Sequence, residues 1–264
     1  MSEPKKARIY DHPRYYEIAF SFRDICNEID ILEWCMKDFS RIPVRTVLEL
    51  GCGPASHMAE LMNRGYEYIG IDLSDKMLEF GRERAEQAGL SPVLLKEDMV
   101  RFTIGRQVDF AFVLVGSLYA TNTADLFSHF ESVAAALCRG GIYFLDWCVE
   151  FDRSAENFTS WEIERNGVRT ETSYSCRYVD LAEQTIEERI RIKVRDHGGK
   201  LELEERNTIR AVHPREFVSL IEKSGSFEFV GWWNNWNLNE PISESGTIAE
   251  HKKIERPITV IRRV

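Results

Sequence analysis

The 264 residues contain no membrane-length apolar run, no C-x-x-C pair, no internal repeat and no excess of positive charge. No apolar stretch approaches the ~18 residues that a membrane span needs. The polar, basic stretch 1–8 is followed by no apolar core of the kind a secretory leader carries. The six cysteines, Cys26, Cys35, Cys52, Cys138, Cys148 and Cys176, lack the spacing of a zinc site or a thioredoxin-type motif, so no metal is expected. They read as small apolar residues of a reducing compartment, and a cytoplasmic location is expected. With 34 Lys and Arg against 43 Asp and Glu, the net charge of −9 repels polyanions. Neither a nucleic-acid partner nor an anionic membrane surface is expected.

What is present divides into four stretches. Residues 1–44 read as helical: Ile25, Ile29, Leu32 and Met36 share one helix face behind an aromatic cluster that includes Tyr15, Tyr16, Phe20 and Phe22. Residues 45–150 alternate strand and helix. Strands are expected at 46–50, 68–72, 93–95, 109–115 and 142–147, with Gly140-Gly141 as the turn before the last. Such alternation argues for a parallel sheet with right-handed crossovers. Residues 151–212 change character: Asn166-Gly167 signals a hairpin, and alternating apolar and charged residues predict about four antiparallel strands. Residues 213–264 return to the first pattern, with a helix opened by Pro214, strands at 227–233 and 258–261, and a polar loop over 239–256. The fold expected is α/β and Rossmann-like. Its seven-stranded, mostly parallel sheet has helices on both faces, a small antiparallel insert and an N-terminal helical lid.

The informative segment is Val47-Leu48-Glu49-Leu50-Gly51-Cys52-Gly53-Pro54, a strand followed by a glycine turn and a helix. Glycine permits positive φ and close approach of a ligand to the backbone. Asp72 ends the next strand, where an acid would grip a pair of ribose hydroxyls. A dinucleotide needs a third glycine for its pyrophosphate, but that position is Ser56. Glu49 would repel a pyrophosphate and favour a cationic nucleoside, which disfavours a nicotinamide dehydrogenase.

The stretch Glu49-Leu50-Gly51-Cys52-Gly53-Pro54 resembles motif I of the class I S-adenosylmethionine-dependent methyltransferases. Tyr68-Ile69-Gly70-Ile71-Asp72-Leu73-Ser74, with Met77 beyond, and Lys96-Glu97-Asp98-Met99 resemble the second and third motifs. The resemblance implies S-adenosyl-L-methionine as cofactor and S-adenosyl-L-homocysteine as product. It places Glu49, Gly51, Cys52 and Gly53 at the methionine end and Asp72 at the ribose. Leu73 and Met77 would flank the adenine, Asp98 and Met99 would meet its edge, and Val115 and Gly116 would pass beneath the sulfonium. Where the family usually has glycine after the proline, this chain has Ala55. Tyr16 resembles a lid tyrosine that touches the cofactor, and Arg23 a basic residue that could pair with its carboxylate.

Methyl transfer needs alignment and exclusion of water, and a base only if the acceptor arrives protonated. The candidates for that base are Tyr119 and Asp146, near the ends of the fourth and fifth strands. His57, His129 and His213 read as surface or packing residues. Trp147, Trp161, Tyr174 and the 232–236 aromatic cluster could wall an acceptor. The insert resembles that of small-molecule N- and O-methyltransferases, a resemblance that implies a wall of the acceptor pocket or a homodimer contact. A small-molecule acceptor methylated at N or O is the expected substrate. The alternatives are a cofactor-binding module without catalysis and a protein or peptide acceptor.

Overall fold

The computed structural model describes residues 5–152, 157–243 and 253–264. Its central sheet starts with β2 (Thr46–Leu50), β3 (Glu67–Asp72), β4 (Val93–Lys96), β5 (Val108–Val113) and β6 (Leu137–Asp146). It is completed by β11 (Phe227–Trp233), the two-residue β12 (Pro241–Ile242) and β13 (Ile258–Arg263). The order is β12-β11-β13-β6-β5-β2-β3-β4. The pairs from β4 to β6 are parallel, and β13 runs antiparallel to both β6 and β11. The seven expected strands are therefore present. The short β12 adds an eighth by pairing with Trp232 and Trp233 within the expected polar loop, of which 244–252 lie outside the described residues.

Both faces of this sheet are buried, so its central strands are continuously apolar and their side chains alternate between two cores. Leu48, Ala111, Val113, Tyr143 and Leu145 pack with α5 (Thr123–Ala136) and α6 (Pro214–Ser224). Val47, Phe110, Phe112, Ile142 and Phe144 pack on the other side with α2 (Ile25–Phe39), α3 (Met58–Asn63) and α4 (Asp75–Gln87). Ser74 caps α4 by accepting the Met77 N–H at 3.3 Å. Gly225 ends α6 at φ +60°.

One boundary differs from expectation. The helix α5 runs directly into β6 at Leu137, and Gly140-Gly141 lies inside the strand and not ahead of it. Gly140 takes φ +87°, and the Asp109 carbonyl comes so near Gly141 that a Cβ there would lie 2.4 Å from its oxygen. The β5–β6 register shifts beside this point, between Val108 and Phe110.

The insert is an antiparallel sheet of β7 (Asn157–Arg165), β8 (Val168–Asp180), β9 (Thr185–Asp196) and β10 (Gly199–Arg210), extended by the N-terminal β1 (Lys5–Ala7). Asn166 and Gly167 turn the first hairpin, both at positive φ. The lid helix α1 (Pro13–Ala19) buries Ile18 and Ala19 against Val168, Ile192, Val194 and Leu203 of the insert. Lid and insert thus share one core, which a sequence division at residue 151 does not convey.

Candidate functional site

The turn after β2 is built on left-handed backbone: Gly51 at φ +64°, Gly53 at φ +53° and Ala55 at φ +53°. Ala55 thus adopts the conformation for which glycine is the usual residue. A Cβ on Gly53 would meet nothing within 4 Å, so the turn faces open space there. A Cβ on Gly51 would come 2.8 Å from the Met99 methyl, which places Met99 against the loop. The Asp72 Oδ2 accepts the Gly53 N–H and its Oδ1 accepts the Ser74 N–H, each at 2.8 Å. Burial raises the Asp72 pKa, against the lowering effect of these amide bonds. Leu73, beside it, is 62% exposed, an apolar side chain open to solvent at the rim. Met77 is buried beneath α4's first turn, and Asp98 is exposed with its Oδ1 accepting the Val100 N–H at 2.9 Å. The Cys52 side chain points away from the opening and packs against Gly70, where a Cβ would lie 2.8 Å from its Sγ.

Glu49 does not present a free carboxylate. It is buried, with Oε1 bonded to His57 Nδ1 at 2.9 Å and Oε2 accepting the Tyr68 hydroxyl at 2.5 Å. The other ring nitrogen of His57 meets Glu28 Oε2 at 2.9 Å. Burial lowers the His57 pKa, but the two carboxylates outweigh it and the net shift is upward. Arg23 forks onto Glu28, Nε to Oε1 at 3.0 Å and Nη2 to Oε2 at 2.6 Å. The bidentate contact expected for a cofactor carboxylate is thus made here with Glu28. Tyr16, Arg23 and Ser56 nevertheless line one cavity of 340 Å³, which brings the lid to the residue position expected for a third glycine.

Asp146 is fully buried and fully engaged. Arg256 donates to both oxygens, with Nη2 to Oδ2 at 2.7 Å, Trp236 Nε1 donates to Oδ1 at 2.8 Å, and the Val115 N–H donates to Oδ2 at 2.8 Å. The last bond holds Val115 at φ +58°, a strained conformation for a β-branched residue, and Gly116 follows at φ +66°. A Cβ on Gly116 would lie 3.2 Å from the Trp147 carbonyl oxygen. Tyr119 is half-buried, its hydroxyl 3.4 Å from that of Tyr10. Burial raises the Tyr119 pKa well above the usual phenol range, and the nearby Tyr10 and Glu188 add to the rise.

Of the remaining aromatic and histidine candidates, Trp147 is exposed at φ +58°, whereas Trp161, Trp233, Trp236, His129 and His213 pack. Trp161 donates to the Ala19 carbonyl at 2.6 Å and stacks edge-on with Phe20 and Phe22, locking lid to insert. Trp233 lies on Phe39, and Trp236 on Phe144. His129 is buried between the Met99 carbonyl and the Tyr143 hydroxyl, and burial takes its pKa down to about 4. His213 bonds the Glu150 carbonyl at 2.9 Å. Sequence reasoning did not single out Glu28 or Arg256, and it gave Tyr10 and Tyr68 no role at the site. Glu28 left a signal: it lies three residues after Ile25 and four before Leu32, on the apolar face of α2.

Comparisons with known proteins agree with this geometry. A family model described as a methyltransferase domain matches residues 47–141. The Bacillus subtilis (strain 168) protein YqeM, which bears a provisional methyltransferase name, is 33% identical over 136 residues, covering 50% of this chain and 54% of its own. The chain spans about half the length of the curated relatives it matches. Among solved structures, an S-adenosylmethionine-dependent methyltransferase from Clostridium acetobutylicum superposes with a TM-score of 0.74 at 18% identity, over 94% of this chain and 96% of that one. The amino pentose methyltransferase CalS10 from Micromonospora echinaspora, bound to S-adenosylmethionine, gives 0.72 at 17% identity over 100% of both chains. The sugar N-methyltransferase KedS8 from Streptoalloteichus gives 0.73 at 17% identity, over 100% and 94%. At such identities the superpositions establish the fold alone. Residues 47–141 match a methyltransferase domain, and they lie in a Rossmann-like fold with an antiparallel insert.

Proposed function

We propose that this protein transfers the methyl group of S-adenosylmethionine to a small-molecule acceptor held between the core sheet and the insert. The observation that carries the reading is the pairing of Asp72 with the Gly53 amide, beside open backbone and an exposed apolar Leu73. Such a rim suits a phosphate-free nucleoside: an acid for ribose hydroxyls, an apolar face for adenine and a bare turn for the amino-acid end.

When bound, S-adenosylmethionine supplies an electrophilic methyl carbon; the acceptor's lone pair forms the new bond as the carbon–sulfur pair returns to a neutral thioether. The chain's own residues align and enclose. Gly51 and Gly53 offer backbone at the methionine end, and Asp98 and Met99 border the adenine edge. Tyr16 and Arg23 close the lid. Glu49 contributes its charge from beneath the loop, held by His57 and Tyr68. Asp146 is a positioning residue, since its oxygens are occupied and it fixes the Val115–Gly116 turn below the transfer site. Tyr119, its hydroxyl kept protonated by burial, serves as a hydrogen-bond donor and not as a base.

A small acceptor is supported by the lid, which shares one core with the insert and reaches Tyr119 through the Tyr10 hydroxyl at 3.4 Å. It is also supported by the structural neighbours named as sugar and amino pentose methyltransferases. Six cysteines, none in a disulfide among the described residues, fit a reducing compartment such as the cytoplasm.

The test is methyl-labelled S-adenosylmethionine added with the protein to a cell extract, which is then separated into small molecules, protein and RNA. Label is expected in the small molecules. Label confined to protein or RNA overturns the small acceptor, and tight cofactor binding with no labelled product favours a binding module.

A further inference from the structure

Across the inward face of the insert sheet, the rows through Ile192 and Val194 carry the lid, and Ile186 at the far end is again buried and apolar. Between them the face turns polar. Tyr174, Ile190 and Glu205 lie opposite one another on β8, β9 and β10, and Cys176, Glu188 and Asn207 form the next row. Glu188 and Glu205 are each only 8% exposed.

Two buried acids on one sheet face cost stability unless cations meet them. Among the described residues no lysine or arginine pairs with Glu188; the neutral Tyr174 hydroxyl donates to its Oε1 at 2.6 Å. Arg8 reaches Oε1 of Glu205 at 3.0 Å, but Oε2 is buried with no hydrogen-bond partner among the described residues. The patch lies near the end of β5. Tyr119, which follows β5, feels the charge of Glu188, and its hydroxyl is 3.4 Å from that of Tyr10. The Tyr10 carbonyl accepts the Ser74 hydroxyl at 3.1 Å, and the Ser74 N–H binds Asp72. Tyr10 also hydrogen-bonds Asn207, the β10 neighbour of Glu188, so a line of contacts runs from the proposed ribose acid through Ser74 and Tyr10 to the polar patch.

We propose that Glu188 is the residue that receives the acceptor's amino group, so that the methylated atom is nitrogen and the acceptor a small amine, with Tyr174 positioning the carboxylate and Glu205 meeting a second polar group of the same molecule. This assignment rests on the methyltransferase reading above. An amine arrives as an ammonium, which a buried carboxylate without a cation partner binds. Its proton passes to Glu188, and the freed nitrogen lone pair forms the bond to the methyl carbon as the carbon–sulfur bond breaks onto sulfur. The product is the methylated ammonium, and the Glu188 proton leaves to solvent as the product exits. Burial raises the Glu188 pKa, against the Tyr174 bond, which brings its proton affinity nearer that of an amine. A buried carboxylate that no lysine or arginine meets among the described residues attracts a cationic amine over a neutral alcohol, so the site favours nitrogen over oxygen.

The test uses the full chain, methyl-labelled S-adenosylmethionine and a low-molecular-weight metabolite pool, in parallel with the same pool after N-acetylation of its amines. The wild-type protein should label the untreated pool and not the acetylated one. Glu188→Gln, which keeps the side-chain shape, should lose about tenfold or more of that labelling, with the affinity for S-adenosylhomocysteine unchanged. Equal labelling of both pools, or a Glu188→Gln variant that labels like wild type, overturns the assignment while leaving the methyltransferase reading intact. Failure of the wild type to label either pool while still binding S-adenosylhomocysteine overturns both. Should Glu188→Gln fail to fold, Tyr174→Phe decides. Loss of the hydroxyl should move the acid limb of the rate–pH profile upward, and an unmoved limb counts against Glu188.

Discussion

The Asp72 Oδ2 accepts the Gly53 N–H at 2.8 Å, so the acid ending β3 and the glycine turn ending β2 are one unit. Asp72→Ala removes a charged acceptor and orphans that amide. It should weaken S-adenosylhomocysteine binding by about 2–3 kcal/mol, a factor of roughly 30 to 150. Calorimetric titration measures this, and unchanged affinity removes Asp72 from the site.

Gly53→Ala separates stability from binding. Space is open around the added methyl group, so the cost to the fold is the left-handed backbone alone, about 1–2 kcal/mol. The methyl would project where the donor is placed, and S-adenosylhomocysteine affinity should fall by about tenfold or more. Urea unfolding and calorimetry together read the two effects. A variant with full affinity would place the ligand elsewhere.

Arg256→Ala leaves Asp146 buried without its cation and loosens the Val115 turn. Unfolding free energy should drop by about 3 kcal/mol. Guanidinium melts check this, and a change within about 0.5 kcal/mol would show that Trp236 and the Val115 amide suffice.

The Glu49–His57–Glu28 chain makes stability depend on pH at both ends. Burial would raise the Glu28 pKa, but the bonds from His57 and Arg23 take it down to about 2. Its contribution is present above the ordinary glutamate range and is lost as pH falls toward about 2. The raised His57 pKa works in the opposite sense. Its contribution is full below the ordinary histidine value and is lost as pH rises through the folded one. Tm should therefore decline in the wild type over the interval that begins at the ordinary histidine value, about pH 6.5, as pH rises. His57→Gln should lower Tm near the start of that interval and flatten the decline. A wild-type Tm that stays level across the interval contradicts the charged His57.

The turn, Asp72 and the alternation of strand and helix were legible because each is local: a few neighbouring residues fix glycine geometry, capping and apolar periodicity. The Asn166-Gly167 hairpin was legible for the same reason. Gly140-Gly141 misled because glycine serves two purposes, and here the near approach of the Asp109 carbonyl, not a turn, requires it. The strands β1 and β12 are too short to show a period and exist through their pairing with β10 and β11. The engagement of Asp146 depends on Arg256 and Trp236, which only the folded sheet brings together. Glu49 was visible as an acid beside the loop, but its partners came from β3 and the turn into α3, and the second partner of His57 came from α2.

The central claim is that the opening beside Gly51, Gly53 and Asp72 binds a phosphate-free, cationic nucleoside. Calorimetric titration of the purified protein with S-adenosylmethionine, S-adenosylhomocysteine and NAD tests it most directly. Saturable binding of the first two at one site, with no heat from NAD, is the predicted result. Binding of NAD without binding of S-adenosylhomocysteine would contradict it.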